Sequence, residues 1–217
     1  MAHLNVVRYV SSTEKVLDAN EPDFIGTSAV IVVTGQSSSN SCRLPAAQKF
    51  FLERVIGKPP PEPDFAFPWA TSYSSERTRE PSLAMASLRN MRQFFAAQFN
   101  RSFQAGCKRL FEKAFRDPRK KIVFLTGSCG YQISLSALNQ IEQPNDVLLV
   151  ALGPVGFARC TNPRVKVVHI RGRGDLISQL LSVSKPDFVV DCGHMSYWSD
   201  TEVLSLCRGV VHEFLGL

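Results

Sequence analysis

The sequence predicts an α/β fold in which a mostly parallel sheet is covered by helices on both faces. Its short apolar, β-branched runs lack polar alternation, which is typical of strands buried on both faces. Segments with apolar residues at three- or four-residue spacing lie between these runs and predict helices. The predicted strands are residues 28–34, 122–126, 146–154, 165–172 and 187–191. A chain of 217 residues suits one domain, so we expect a single domain over residues 1–217.

Composition excludes several classes of protein. Hydrophobic residues make up 44% of the chain and charged residues 20%, as in a globular protein. No run reaches the roughly 18 apolar residues that a membrane span requires, and the N-terminus lacks a signal-peptide pattern, so we expect a cytoplasmic protein. The six cysteines are scattered without a Cys-x-x-Cys pair, so we expect no metal site and no cofactor. The net charge of +6 is mild and does not indicate nucleic-acid binding.

Three segments predict the main helices. They are residues 45–56, 82–115 and a closing helix from 199 or 200 to 215. The long middle segment carries apolar residues at 88, 91, 95, 99, 103, 107, 110 and 114, and this regular spacing predicts a buried stripe. Ser199 and Glu202 have the spacing of a capping box at the start of the closing helix.

Residues 57–81 form a proline- and aromatic-rich segment without signals for a helix or strand. Its aromatic residues include Phe65, Phe67 and Trp69. One interpretation is a loop whose aromatic side chains pack onto the domain. The other is a flap that lines an apolar substrate site. The sequence leaves both open.

The segment around Ser128 has the pattern of strand, tight turn and helix. Residues 122–126 predict the strand, and the helical pattern resumes after Gly130. This is the geometry of a nucleophile elbow, in which the central serine lies at the apex of the turn. Thr126 stands where such motifs usually have their first glycine. A serine in a turn of this kind also occurs as plain structure, so the remainder of the chain has to supply further evidence.

Two further polar residues follow later predicted strands. Asp175 comes after the strand at 165–172, and His194 comes after the strand at 187–191. Because active residues of parallel sheets gather beyond the carboxyl ends of strands, Ser128, Asp175 and His194 are expected at one edge. A serine needs a base, and the base needs a third group that fixes its tautomer. The structural alternatives are a helix-capping role for Asp175 and a surface position for His194.

These motifs resemble the α/β-hydrolase superfamily, which includes lipases and esterases. The resemblance covers about residues 28–217 and rests on the turn at 126–130, on residues 172–175 and on Gly193-His194 before a terminal helix. It implies Ser128 as nucleophile, Asp175 as acid and His194 as base. It also implies an oxyanion hole formed by the Cys129 amide and by Gly35 or Gln36, which follow the first predicted strand. The structural alternative is that the loop beginning at Gly35 only connects the first strand to the helix that follows it.

The leading functional hypothesis is a serine hydrolase that cleaves a carboxylic ester through a Ser-His-Asp triad. Its partner would be a small-molecule ester or lipid-like substrate with an apolar part. The alternative is a non-catalytic protein of the same fold that binds a partner or small ligand. A third interpretation, with Cys129 as the nucleophile, is disfavoured because this residue follows the apex of the turn.

Overall fold

The computed structural model describes residues 30–35, 44–58, 82–115, 121–142 and 145–217. Residues 59–81, which make up most of the segment interpreted as a packed loop or a flap, lie outside the described residues, as does Gln36 of the predicted oxyanion hole. The strands are β1 (Val30–Val33), β2 (Ile122–Gly127), β3 (Val147–Leu152), β4 (Val165–Gly172) and β5 (Phe188–Val190). The helices are α1 (Ala46–Ile56), α2 (Leu83–Phe99), α3 (Arg101–Glu112), α4 (Gly130–Leu138), α5 (Leu176–Leu181) and α6 (Thr201–Leu215).

The described strands form one sheet in the order β1-β2-β3-β4-β5, and all neighbouring pairs are parallel. Strands β1, β2 and β3 are buried along their whole lengths, as their unbroken apolar sequences predict. Because the strands are parallel, their carboxyl ends share one edge of the sheet. The loops after β2, β4 and β5 therefore leave from the same side of the molecule.

Helices cover both faces of the sheet and confirm the predicted α/β class. On one face, α2, α3 and α4 pack against Ile31, Phe124 and Leu149. On the other face, α1 and α6 pack against Val123 and Leu148. Alternate residues of each strand thus enter different apolar layers, which is the arrangement that fixes the register of a buried sheet.

The single long helix predicted over residues 82–115 is wrong. The helix is interrupted at Asn100, whose backbone is extended with φ −102° and ψ 104°. The Asn100 Oδ1 atom accepts a hydrogen bond of 3.0 Å from the Phe103 amide and so caps the start of α3. An asparagine side chain can replace backbone hydrogen bonds in this way, and the helical periodicity continues across the break without revealing it.

The stripe of buried apolar residues predicted over 82–115 is confirmed only in the part that follows Asn100. In α3 and the 3₁₀ turn that follows it, the stripe positions are buried, and they are Phe103, Cys107, Leu110 and Ala114. In α2 the stripe positions are exposed, and they are Leu88, Met91, Phe95 and Phe99. Helix α2 instead buries the face that carries Phe94 and Ala97. A stripe that is continuous in sequence does not face one direction on two separate helices.

The capping box predicted for the closing helix is also wrong. The N-cap of α6 is Asp200, whose Oδ1 accepts hydrogen bonds from the amides of Glu202 and Val203. Ser199 instead donates to the Ser196 carbonyl oxygen at 3.0 Å. Serine and aspartate are both good N-caps. Here Asp200 is the N-cap, because its carboxylate accepts from the amides two and three residues further along the chain.

Candidate active site

Ser128 lies at the sharp turn between β2 and α4. Its φ is +52°, and it is the one non-glycine residue with positive φ in the described part of the chain. Such a conformation costs about 1–3 kcal/mol and persists only where the surroundings enforce it. The Ser128 amide donates to the Leu152 carbonyl oxygen at 3.2 Å, and its own carbonyl oxygen accepts from Tyr131 and Val155. The strained backbone is therefore held from both sides.

The two flanking residues of the turn explain how it fits the sheet. A Cβ on Gly130 would lie 2.2 Å from the Val33 carbonyl oxygen, so this position requires glycine. Thr126 is fully buried, and its hydroxyl donates to the Val150 carbonyl oxygen at 3.3 Å. The neighbouring strand thus satisfies the polar atom of the threonine that replaces the usual glycine.

The structure brings Ser128, His194 and Asp175 together. His194 Nε2 lies 3.1 Å from Ser128 Oγ, and His194 Nδ1 lies 2.9 Å and 3.0 Å from the two carboxylate oxygens of Asp175. Because an ionised carboxylate only accepts hydrogen bonds, Nδ1 carries the proton and Nε2 presents a lone pair to the serine. In this arrangement the imidazole can accept the Ser128 hydroxyl proton.

Asp175 is completely buried and accepts hydrogen bonds from three residues. Besides His194, the Ser178 amide donates at 2.9 Å and the Tyr197 hydroxyl donates at 2.7 Å. Burial alone would raise the pKa of the Asp175 carboxyl, but these hydrogen bonds together lower the pKa below its ordinary value. Asp175 is also the N-cap of α5, so the capping role considered from the sequence and the contact with His194 coexist.

Tyr197 belongs to this site and was missed in the sequence analysis. Its hydroxyl accepts a hydrogen bond of 2.7 Å from the Gly172 amide and donates one of 2.7 Å to Asp175 Oδ2. Burial and the adjacent carboxylate raise the pKa of the Tyr197 phenol, so it remains a neutral donor. The only signal in the sequence is its position three residues after His194.

Gly153, which follows β3, makes room for this buried pair. Its φ is +52°, and a Cβ at this position would lie 2.5 Å from the Tyr197 ring and 2.7 Å from Asp175 Oδ2. The loop that carries His194 is fixed by Ser196, whose hydroxyl accepts from the Gly193 amide and donates to the Gly193 carbonyl oxygen, both at 3.0 Å. Contacts from the ends of β3, β4 and β5 therefore position the imidazole and the carboxylate.

The residues predicted for an oxyanion hole are only partly described. Cys129 directly follows Ser128 and begins the turn into α4, and Gly35 lies against its side chain, since a Cβ on Gly35 would be 2.5 Å from the Cys129 Sγ. Burial raises the pKa of the Cys129 thiol to about 12, so this thiol stays neutral and is a poor nucleophile. The structure therefore gives no support to Cys129 as the attacking group.

The described ranges hold no group of three or more histidine, cysteine, aspartate or glutamate side chains arranged to bind a metal ion. Among the helices that the structure describes, none is both long enough and apolar enough to cross a membrane.

Comparison with solved structures finds similar chains. One is a candidate hydrolase of the alpha/beta superfamily from Xanthomonas campestris pv. campestris, which is 16% identical, with 86% of this chain and 97% of that chain covered and a TM-score of 0.43. Another is the esterase PE8, which is 14% identical, with 89% of this chain and 96% of that chain covered and a TM-score of 0.46. No family model and no curated protein matches the chain.

Proposed function

We propose that this chain is a serine hydrolase that cleaves a carboxylic ester. The observation that carries the proposal is the unbroken series of hydrogen bonds from Ser128 Oγ through His194 to the buried Asp175. The series begins at a serine whose backbone is held in a strained conformation. Strain of this kind is expected at functional sites, where it keeps a nucleophile in place.

In the proposed reaction, His194 Nε2 accepts the hydroxyl proton as Ser128 Oγ attacks the ester carbonyl carbon. The carbonyl π electrons move to oxygen and form a tetrahedral intermediate. Asp175 holds the ring in the required tautomer and stabilises the imidazolium. Tyr197 and the Ser178 amide keep the carboxylate ionised, because both donate to it.

The negative oxygen of the intermediate forms beside the start of α4. The Cys129 amide and the positive end of the helix dipole favour an anion at this point. When the intermediate collapses, the ester C–O bond breaks and His194 gives its proton to the departing alcohol. Water then attacks the acyl group on Ser128 with His194 again as the base, which releases the carboxylic acid and restores the enzyme.

Two exposed apolar residues that adjoin site residues in the sequence support a substrate with an apolar or lipid-like part. Met195 directly follows His194 and is 74% exposed, and Leu176 directly follows Asp175 and is 67% exposed. Large apolar side chains that protrude next to polar reactive groups are suited to contact an acyl or alcohol chain. We therefore propose a small-molecule ester with such a chain as the substrate class.

Labelling with a fluorophosphonate probe tests the proposal, because the probe reacts with activated serines. The wild-type protein should be labelled and the Ser128→Ala variant should not. Ser199→Ala is a matched control, since Ser199 is an exposed serine that donates only to a backbone carbonyl oxygen. Folded wild-type protein that is neither labelled nor active on p-nitrophenyl esters would instead favour the non-catalytic binding protein.

A further inference from the structure

Asn90, on helix α2, carries a buried carbonyl oxygen that the mechanism above does not use. Its Oδ1 atom is shielded from solvent and has no hydrogen-bond partner among the described residues. Buried polar groups of proteins are almost always paired, so an unpaired one needs an explanation, such as strain, a bound water molecule or a catalytic role. Its position in the fold indicates what that explanation is.

Helix α2 runs beside the elbow helix α4 and brings Asn90 to the turn that carries the nucleophile. Toward its far end, the Ala97 carbonyl oxygen accepts from Ser136 of α4 at 2.9 Å. At the middle of α2, Asn90 adjoins Gly35, since a Cβ on Gly35 would lie 2.6 Å from Asn90 Oδ1 and 2.5 Å from Cys129 Sγ. The Asn90 carboxamide therefore adjoins the two described residues to which the oxyanion hole is attributed.

We propose that the Asn90 carboxamide binds the oxyanion that forms when Ser128 attacks the ester. This inference rests on the proposed function. A half-turn about the Cβ–Cγ bond exchanges Oδ1 with Nδ2 at almost no change in shape, so the same position offers an N–H donor. Asn90 Nδ2 then donates to the negative oxygen beside the Cys129 amide.

The unpaired position of the Asn90 carboxamide beside Gly35 favours the transition state over the resting enzyme. Before the reaction, the carboxamide atom at this position has no hydrogen-bond partner among the described residues. Once the oxyanion forms, the amide acquires a charged acceptor. An interaction that is made only in the transition state raises kcat without tightening substrate binding.

The test compares Asn90→Ala with Gln98→Ala. Gln98 is a matched control because it lies on the same helix and its side-chain oxygen, Oε1, is also buried without a partner among the described residues. It lies eight residues further along α2, about 12 Å from Asn90 along the helix axis. A purely structural effect of losing a carboxamide should be similar at both positions.

With p-nitrophenyl butyrate, Asn90→Ala should lower kcat by on the order of 10² while KM stays nearly constant. The affinity for an alkyl trifluoromethyl ketone, which forms an oxyanion on Ser128, should fall in parallel with kcat/KM. Gln98→Ala should leave both quantities close to wild type. Asn90→Leu, which keeps the bulk without a donor, provides the same comparison if the alanine variant does not fold.

Equal kcat values for the Asn90 and Gln98 variants would overturn the inference, as would a rise in KM alone. That result is distinct from failure of the proposed function. In the latter case wild-type protein is inactive and unlabelled, whereas here the wild type remains active in a Ser128-dependent manner.

Discussion

Replacing Asp175 by asparagine separates the two roles that this carboxylate fills. As the N-cap of α5 it accepts from the Ser178 amide through Oδ1, and as the proposed acid it accepts from His194. Asparagine caps helices about as well as aspartate, so Oδ1 should stay with Ser178. The Nδ2 group then takes the place of Oδ2, where it faces His194 and Tyr197.

This exchange should disable the imidazole. An amide N–H in the place of Oδ2, which lies 3.0 Å from His194 Nδ1, competes with the proton on Nδ1 and favours the tautomer in which Nδ1 accepts. In that tautomer the ring proton is on Nε2, which leaves no lone pair for the hydroxyl of Ser128. For a serine triad this error costs on the order of 10⁴ in kcat, or about 5 kcal/mol of transition-state stabilisation. The Tyr197 hydroxyl also loses its acceptor, and the free energy of unfolding should fall by about 1–3 kcal/mol.

The assay measures kcat on p-nitrophenyl butyrate together with urea unfolding. Asp200→Asn is the matched control, because Asp200 caps α6 through the amides of Glu202 and Val203 and makes no contact with the triad. That variant should retain full activity. If Asp175→Asn keeps kcat within about tenfold of wild type, the carboxylate is only a helix cap and the proposed triad is wrong.

Four further predictions concern the surroundings of the triad. Tyr197→Phe removes a donor to the Asp175 carboxylate, so kcat and the free energy of unfolding should both fall, the latter by about 1–3 kcal/mol in urea unfolding. Gly153→Ala places a Cβ against the Tyr197 ring at positive φ, and its melting temperature should drop. Met195→Ser should reduce activity on p-nitrophenyl laurate more than on the butyrate, if this exposed side chain contacts the acyl chain. The Asp175 carboxyl has a lowered pKa in the folded state, so the stability that it contributes is present above its unfolded pKa of about 3.9 and is lost as pH falls through the folded pKa.

Each of these outcomes has a contrary result. A Tyr197→Phe variant with unchanged kcat would show that Asp175 needs only its other donors. An unaltered melting temperature for Gly153→Ala would mean that the loop after β3 relaxes freely. Equal losses on both esters would show that Met195 does not contact the acyl chain. For the pH prediction, the stability difference between wild type and Asp175→Asn should shrink from pH 6 to pH 3, and a growing difference would contradict the sign of the pKa shift.

The closeness of Ser128, Asp175 and His194 was predictable because the reasoning needed only topology. Buried strands can be recognised from their continuous apolar sequence, and parallel strands bring their carboxyl ends to one edge. Ser128, Asp175 and His194 follow three such strands, so their loops had to leave from the same edge. The sequence analysis treated capping and catalysis by Asp175 as alternatives, but a carboxylate has enough lone pairs to accept several hydrogen bonds at once.

Tyr197 and Asn100 were not predictable, and the physical reasons differ. The hydroxyl of Tyr197 reaches Asp175 only because the turn fixed by Ser196 and the space beside Gly153 direct it there, and both are tertiary features. Asn100 breaks a helix without altering the apolar spacing on either side. Periodicity reports which residues recur on a face, but it does not report whether the backbone between them is continuous.

The contacts of Asp175 also explain why the candidate site and the stability of the fold should depend on each other. A fully buried carboxylate is costly unless donors replace the water that it loses. All three of its donor residues, His194, Ser178 and Tyr197, already donate to it in the absence of substrate. The charge that would stabilise an imidazolium on His194 is therefore fixed when the chain folds and needs no rearrangement during the reaction. Substitutions that weaken these donors should lower stability and turnover together, whereas Ser128→Gly should remove turnover and also relieve the strain of the positive φ at this position.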